Sequence, residues 1–166
     1  IDPLDPAVVT IGAINGGTTH NVIPRTCKML GTVRAFSDDV RSAMPERIER
    51  VLRSCCDASG ASYEFDYLWR YPVTANDPVQ TQFARNLATT IFAHERVVDA
   101  TMLMGAEDFS FYAERVPACF YTLGCSGGKE TSYPHHSSLF DIDEGALPAG
   151  VAMMAALAFD APRNAP

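Results

Sequence analysis

The densest chemistry in the sequence lies in Tyr133-Pro134-His135-His136-Ser137-Ser138-Leu139-Phe140, where two adjacent imidazoles share a loop rich in proline, serine and glycine. Neutral imidazole is the commonest metal ligand, and loops at the carboxyl ends of strands in open α/β sheets are where ligands bind. Two neighbouring histidines seldom ligate one metal, however, and no cysteine or acid stands at ligand spacing beside them, so on residue types a surface loop is the simpler reading. A second constellation is Met104-Gly105-Ala106-Glu107-Asp108-Phe109-Ser110, paired carboxylates after a glycine and before aromatic residues. Adjacent acids near apolar side chains acquire shifted pKa values at active sites, and equally either acid can cap a helix starting near Phe109. Arg34 offers a planar fork that grips a carboxylate bidentately, although an arginine at a strand end is usually a surface residue with its stem on the sheet. His20-Asn21-Val22-Ile23-Pro24 has the residue types of a turn, and Asn21 adds amide donors to the carboxylate reading if a hairpin brings it to Arg34.

The elements that must position these residues follow from periodicity and punctuation. A β-branched run from Val8 to Ile14 closes on Gly16-Gly17, and Cys27 to Phe36 alternates as a second strand that carries Arg34 near its end. Ser37-Asp38-Asp39 supplies a helix cap and first-turn acids, Val40, Met44, Ile48, Val51 and Leu52 recur at helical spacing, and Gly60 stops the helix. Tyr63, Phe65, Tyr67 and Trp69 alternate with Ser62, Glu64, Asp66 and Leu68, the pattern of a strand with one aromatic face. The segment Pro72 to Pro78 reads as a connection between two structural units. Beyond it, a helix runs from Pro78 to about Ala93, Pro117 to Leu123 suits a buried strand, and an almost wholly apolar helix runs from about Glu144 to Asp160 with Asp143 as its cap. The tail from Pro162 carries no packing signal.

Composition bounds the function. The chain has 166 residues, 47% hydrophobic and 20% charged, which is globular rather than disordered. Its net charge of −7 argues against a broad nucleic-acid surface, which needs clustered cations. No GxGxxG, GxxxxGK[ST] or GxSxG is present, and Ser126-Gly127-Gly128-Lys129 only resembles the end of a phosphate loop. The longest apolar run, Ala146 to Phe159, is shorter than the roughly 20 residues that span a bilayer, and no signal-peptide pattern opens the chain. Five cysteines, an odd number with no two-residue gap between any pair, read as free thiols in a reducing cytoplasm. The expectation is a soluble, cytoplasmic protein.

Taken in order, Gly16-Gly17, Asn21-Val22-Ile23-Pro24, Gly31-Thr32-Val33-Arg34, a helix, an aromatic strand, Tyr71-Pro72, Asn76, Gly105-Ala106-Glu107-Asp108-Phe109 and the His136-Ser137 loop before Phe140 closely resemble the zinc-dependent amidohydrolases. That family includes hippurate hydrolase, indole-acetyl-amino-acid hydrolase, aminoacylase and carboxypeptidase G. The resemblance implies an α/β protein, with residues 1–73 as part of a lid or dimerisation domain built from an antiparallel sheet with a helix. Residues 74–166 would be the carboxyl-terminal part of the metallohydrolase catalytic domain. It further implies metal-dependent hydrolysis of the amide bond of N-acyl amino acids of the hippurate type, two divalent metal ions, typically zinc, and a homodimer formed through the lid.

By the same resemblance His136 is the last metal ligand, while His135 stands where the family usually has an apolar residue. Asn21 and Arg34 match lid residues that bind the substrate carboxylate, and Gly105 and Glu107 belong to a loop that borders the substrate. The family's remaining ligands and its general-base glutamate lie upstream of the lid, and neither a Cys-Gly-His-Asp motif nor a Glu-Glu pair occurs here. No catalytic residue is therefore expected within this chain, because one histidine cannot supply the roughly three protein ligands of a catalytic zinc. The alternative is a dimerisation or carboxylate-binding module without catalysis.

Overall fold

The computed structural model describes residues 4–93 and 96–161. They fall into two compact units, one made of Ile1–Thr74 with Leu103–Phe111, the other of Ala75–Met102 with Tyr112–Pro166. The proline-rich tail from Pro162 lies outside the described residues.

In the first unit, strands β1 (Ala7–Gly16) and β2 (Cys27–Ala35) form an antiparallel hairpin. The register pairs Ala7 with Ala35 and Gly16 with Cys27, and it slips by one residue between Ile11 and Ala13, so that Gly12 forms a bulge on β1. A bulge leaves one residue without a cross-strand partner, and a glycine there gives up no side-chain packing. Gly31, opposite Ile11, has a different constraint: a Cβ on it would lie 2.6 Å from the Thr10 carbonyl oxygen and 3.0 Å from Ile11 Cδ1. The two backbones are too close at that point for any side chain. Gly17, at φ 79°, opens the connection of residues 17–26 in the left-handed region that glycine tolerates.

Helix α1 (Asp38–Ser59) packs against β2 and starts where the sequence indicates. The Ser37 hydroxyl accepts from the Val40 amide at 3.3 Å, Asp38 and Asp39 occupy the positive end of the helix dipole, and Gly60 closes the helix at φ 69°. Met44 is the buried anchor of this face, at 3% exposure. Val51, read from its spacing as part of the apolar stripe, is instead exposed.

The aromatic segment 63–69 does not join the sheet; among the described residues the only ladder is that of β1 and β2. Its alternation is nevertheless real. Tyr63, Phe65 and Tyr67 are half-buried while Ser62, Glu64, Asp66 and Leu68 are exposed. The rings meet at an angle along the segment, with Phe65 and Tyr67 centroids 6.2 Å apart and Tyr67 edge-on to Trp69 at 4.9 Å. It is tied to α1 by side chains: Tyr63 donates its hydroxyl to Glu49 at 3.1 Å, and the Arg41 guanidinium lies 4.7 Å over the Trp69 ring. Burial of Tyr67 pushes its phenol above the usual value, and the nearby Arg41 charge opposes that shift.

The second unit is built on α2 (Pro78–Ile91), a single helical turn α3 (Ser110–Ala113) at its border, and α4 (Leu147–Asp160), with α4 packed on α2. Asp77 caps α2 by accepting from the Gln80 amide at 2.9 Å, and Pro78 fills the first turn. A 3₁₀ turn at Glu144–Ala146, capped by the Asp143 carboxylate accepting from Gly145 at 2.9 Å, leads into α4. Met153 and Ala84 are buried at the helix contact, but α4 leaves Val151, Met154 and Phe159 more than 60% exposed. That is the consequence of an apolar surface on every side of a helix that its neighbours cover only in part.

The expected strand at Pro117 to Leu123 also lacks a ladder. Three of its backbone groups bond instead to the Asn76-Asp77 pair. The Asp77 amide donates to the Ala118 carbonyl at 2.8 Å, while the Asn76 side chain accepts from the Phe120 amide and donates to the Phe120 carbonyl, each at 2.8 Å. A primary amide carries one acceptor and two donors and so imitates the edge of a neighbouring strand. Among the described residues no helix is long and apolar enough to cross a membrane.

The close approach at Gly31 yields a direct test. Gly31→Ala is expected to destabilise the protein by about 1–3 kcal/mol, the usual penalty for forcing a methyl against packed backbone. Urea unfolding followed by circular dichroism measures it, and an unchanged midpoint would mean that the two strands do not approach as described.

Candidate functional site

In the first unit β2 places Arg34 opposite Val8, at the strand end farthest from the hairpin connection. There its Nη1 donates to the Met104 carbonyl, joining residues 70 positions apart in sequence. Met104 is the residue immediately before the Gly105-Ala106-Glu107-Asp108 loop, so the guanidinium stands at the entrance to that loop. A guanidinium carries five N–H donors in one plane, and a single bond to a carbonyl leaves a fork able to take a carboxylate. Among the described residues no aspartate or glutamate forms an ion pair with Arg34.

The loop itself is fixed from its far end. Ser110, fully buried, donates its amide at 3.2 Å and its hydroxyl at 2.6 Å to the backbone carbonyl of Glu107, and the Phe111 amide donates to the Asp108 carbonyl at 3.1 Å. Backbone carbonyls, not acidic side chains, therefore make these contacts at the start of α3. The Glu107 and Asp108 residues are exposed. The Glu107 side chain stays near Gly105, whose Cβ position would lie 3.9 Å from Glu107 Oε1. Tyr71 and Phe111 close the same region with ring centroids 5.8 Å apart.

Asn21 falls elsewhere. It sits in the exposed connection of residues 17–26, where its side-chain oxygen accepts weakly from Thr19 at 3.4 Å. Arg34 lies seven residues beyond Cys27, the first residue of β2, which is about 23 Å along an extended strand at roughly 3.3 Å per residue. The expectation that the hairpin brings Asn21 to Arg34 is thus corrected: within one chain it holds them at opposite ends.

In the second unit His136 occupies an exposed turn in the segment between Cys125 and Asp143, whose ends are joined by the Asp143 amide donating to the Cys125 carbonyl at 2.8 Å. His136 has φ 67°, the one non-glycine residue in the left-handed region among those described. Such a conformation costs on the order of 1–3 kcal/mol for a residue with a side chain and is characteristic of functional sites. Two successive turns hold it. The Ser137 amide donates to the Pro134 carbonyl at 3.2 Å, the Phe140 amide to the Ser137 carbonyl at 3.1 Å, and the Leu139 amide to the Ser137 hydroxyl at 3.1 Å. The His135 ring meets the Phe140 ring edge-on, with centroids 5.2 Å apart and planes at 89°.

No three His, Cys, Asp or Glu side chains among the described residues stand together as a group able to hold a metal ion. His136 accordingly stands outside any such group, and the described residues do not by themselves compose a metal centre. The glycines of Ser126-Gly127-Gly128-Lys129 are not available to a phosphate either, since the Gly127 and Gly128 amides both donate to the Thr131 hydroxyl, at 2.8 and 3.2 Å. The contact that sequence reasoning missed is the bracket made by Asn76. Its signal was an asparagine directly before an Asp-Pro helix start, where one residue caps the helix and the other is left to bind a neighbouring backbone.

Residues 3–160 match Peptidase family M20/M25/M40. The chain belongs to this family. It is 36% identical over 160 residues to thermostable carboxypeptidase 2 of Saccharolobus solfataricus, covering 95% of this chain and 40% of that protein. It is 35% identical over 158 residues to N-acetylcysteine deacetylase of Bacillus subtilis, again over 95% of this chain and 40% of the relative. The fold resembles the crystal structure of the Bacillus subtilis YXEP protein, described as a dinuclear metal binding peptidase of the M20 family, with a TM-score of 0.85 at 33% identity. That match covers 96% of this chain and 43% of the other. This M20/M25/M40 chain therefore spans about two fifths of the length of the proteins it matches, and its α/β fold is that of one portion of them.

Proposed function

We propose that the protein to which this M20/M25/M40 chain belongs hydrolyses the amide bond of N-acyl amino acids, using a pair of divalent metal ions, zinc by family resemblance. The observation that carries this reading is the bond from Arg34 to the Met104 carbonyl, which holds a carboxylate-binding fork at the entrance to the Gly105–Asp108 loop. A free carboxylate beside the scissile amide is what an N-acyl amino acid presents, and a deacetylase of one such compound is among the relatives. Residues 1–73 act as part of a lid and 74–166 as part of the catalytic domain, with Gly105 and Glu107 bordering the substrate. His136 supplies one metal donor, and the remaining donors and the general base come from portions of the protein other than this chain.

Asn21 and Arg34 stand at opposite ends of one hairpin, so both reach the same carboxylate when Asn21 is contributed by a second copy of the chain. This favours a homodimer joined through the lid. The competing reading, a carboxylate-binding or dimerisation module without catalysis, is favoured by the lack of a ligand cluster among the described residues.

Two measurements on the complete protein separate these readings. Arg34→Ala should raise KM for an N-acyl amino acid by about 10- to 100-fold, the worth of a charge-assisted hydrogen bond, and affect an acyl amide without a carboxylate far less. Equal losses on both substrates would make Arg34 structural. His136→Ala should lower both bound metal and turnover; full metal content with normal hydrolysis would exclude His136 as a ligand.

A further inference from the structure

Two backbone edges in the first unit have no ladder partner among the described residues, and both belong to elements that lie against α1. Strand β2 pairs with β1 along one edge only. In the aromatic segment no backbone amide or carbonyl from Ser62 to Arg70 enters a hydrogen bond among the described residues, although the side chains alternate as they do in a sheet. The contacts with α1 also fix direction. Arg41, early in the helix, meets Trp69, late in the segment, and Glu49, farther along, meets Tyr63 at its start, so the segment runs against α1. Strand β2 ends at Ala35 and α1 starts at Asp38 and packs back on it, so β2 runs against α1 as well. The two are therefore parallel. The 103–111 loop agrees, since Arg34 near the end of β2 binds the Met104 carbonyl while Tyr71, just past the segment, meets Phe111.

Parallel strands joined by a helix normally share one sheet. With strands roughly 4.8 Å apart, two that flank a third stand about 10 Å apart, which a helix about 10–12 Å wide can cover. We propose that one extended strand, from a part of the protein outside this chain, enters between β2 and residues 63–69 and hydrogen-bonds to both, making one continuous sheet under α1. Rows of unpaired amides and carbonyls are templates for such addition, and the Met44 face of α1 asks for apolar side chains at alternate positions of the incoming strand. The chain spans about two fifths of the length of its relatives, so a protein of that kind has ample sequence to supply the strand. A second copy is the poorer source: a strand bonded on both sides must arrive with both edges unpaired, and β1 is already committed to β2. The inference does not depend on the reaction proposed above.

The test uses the complete protein, with amide hydrogen exchange and amide–amide Overhauser contacts resolved by residue. Every second amide from Tyr63 to Trp69, and the β2 amides directed away from β1, should exchange about 1,000-fold or more slower than in an unstructured peptide, as in a ladder that opens only with global unfolding. Both sets should show contacts to one run of residues outside this chain, and dilution should change neither result. Rapid exchange throughout 63–69 overturns the proposal, as does protection of only one of the two edges or contact of the two edges with different runs. Contacts from 63–69 to β2, or to any other residue of this chain, would mean that the partner is internal and overturn it too. Protection that disappears on dilution would assign the strand to a second copy and equally overturn it.

Discussion

A single guanidinium ties the first unit together across the longest sequence separation of any side-chain contact described in it. Arg34 reaches from the end of β2 to the carbonyl before the Gly105 loop, and so helps to join Leu103–Phe111 to residues otherwise 29 or more positions away. The constraint runs in both directions. The loop gains a fixed entrance, and the arginine gains a fixed plane, since a fork with one N–H committed can no longer rotate freely. Everything that sets the position of β2 therefore sets the site: the close backbone approach at Gly31, the Gly12 bulge that adjusts register, and α1 packed against the strand.

The second unit uses a different physical device. Its chemically interesting residue, His136, sits in a backbone conformation that costs energy, and the surrounding turns offset that cost with three hydrogen bonds and a ring contact. Net hydrogen bonds of this kind are worth about 0.5–1.5 kcal/mol each, so the local account balances without help from a buried core. The arrangement suits a donor that must keep one orientation while exposed. Both units also leave apolar surface uncovered: Val9, Ile11 and Met29 on the hairpin, Val151 and Phe159 on α4.

What was legible in the sequence was what short-range physics decides. Ser37 and Gly60 bound α1, Pro78 starts α2, and Asp143 caps the entry to α4, because each of these residues acts on backbone within four positions of itself. Long-range partners were not legible. The alternation at 63–69 specifies one face of an extended segment but not the strand it would pair with, and the segment lies on α1 through side chains instead. At 117–123 the partner proved to be an asparagine side chain, which no periodicity encodes. The separation of Asn21 from Arg34 was available from simple strand length, since seven residues of β2 lie between the hairpin connection and the arginine. The left-handed conformation of His136 was not, because most histidines still adopt negative φ and the turn hydrogen bonds that accompany the exception join residues that periodicity does not mark.

In the proposed function Arg34 reads the carboxylate of the substrate while His136 holds metal in the same enzyme. A crystal structure of the complete protein with a bound, non-hydrolysable N-acyl amino acid analogue tests it most directly when anomalous scattering is used to locate the metal. The expected result is the analogue's carboxylate within hydrogen-bond distance of the Arg34 guanidinium and a metal on the His136 imidazole at about 2.0–2.1 Å. A carboxylate bound away from Arg34, with the metal held by ligands that exclude His136, would contradict it.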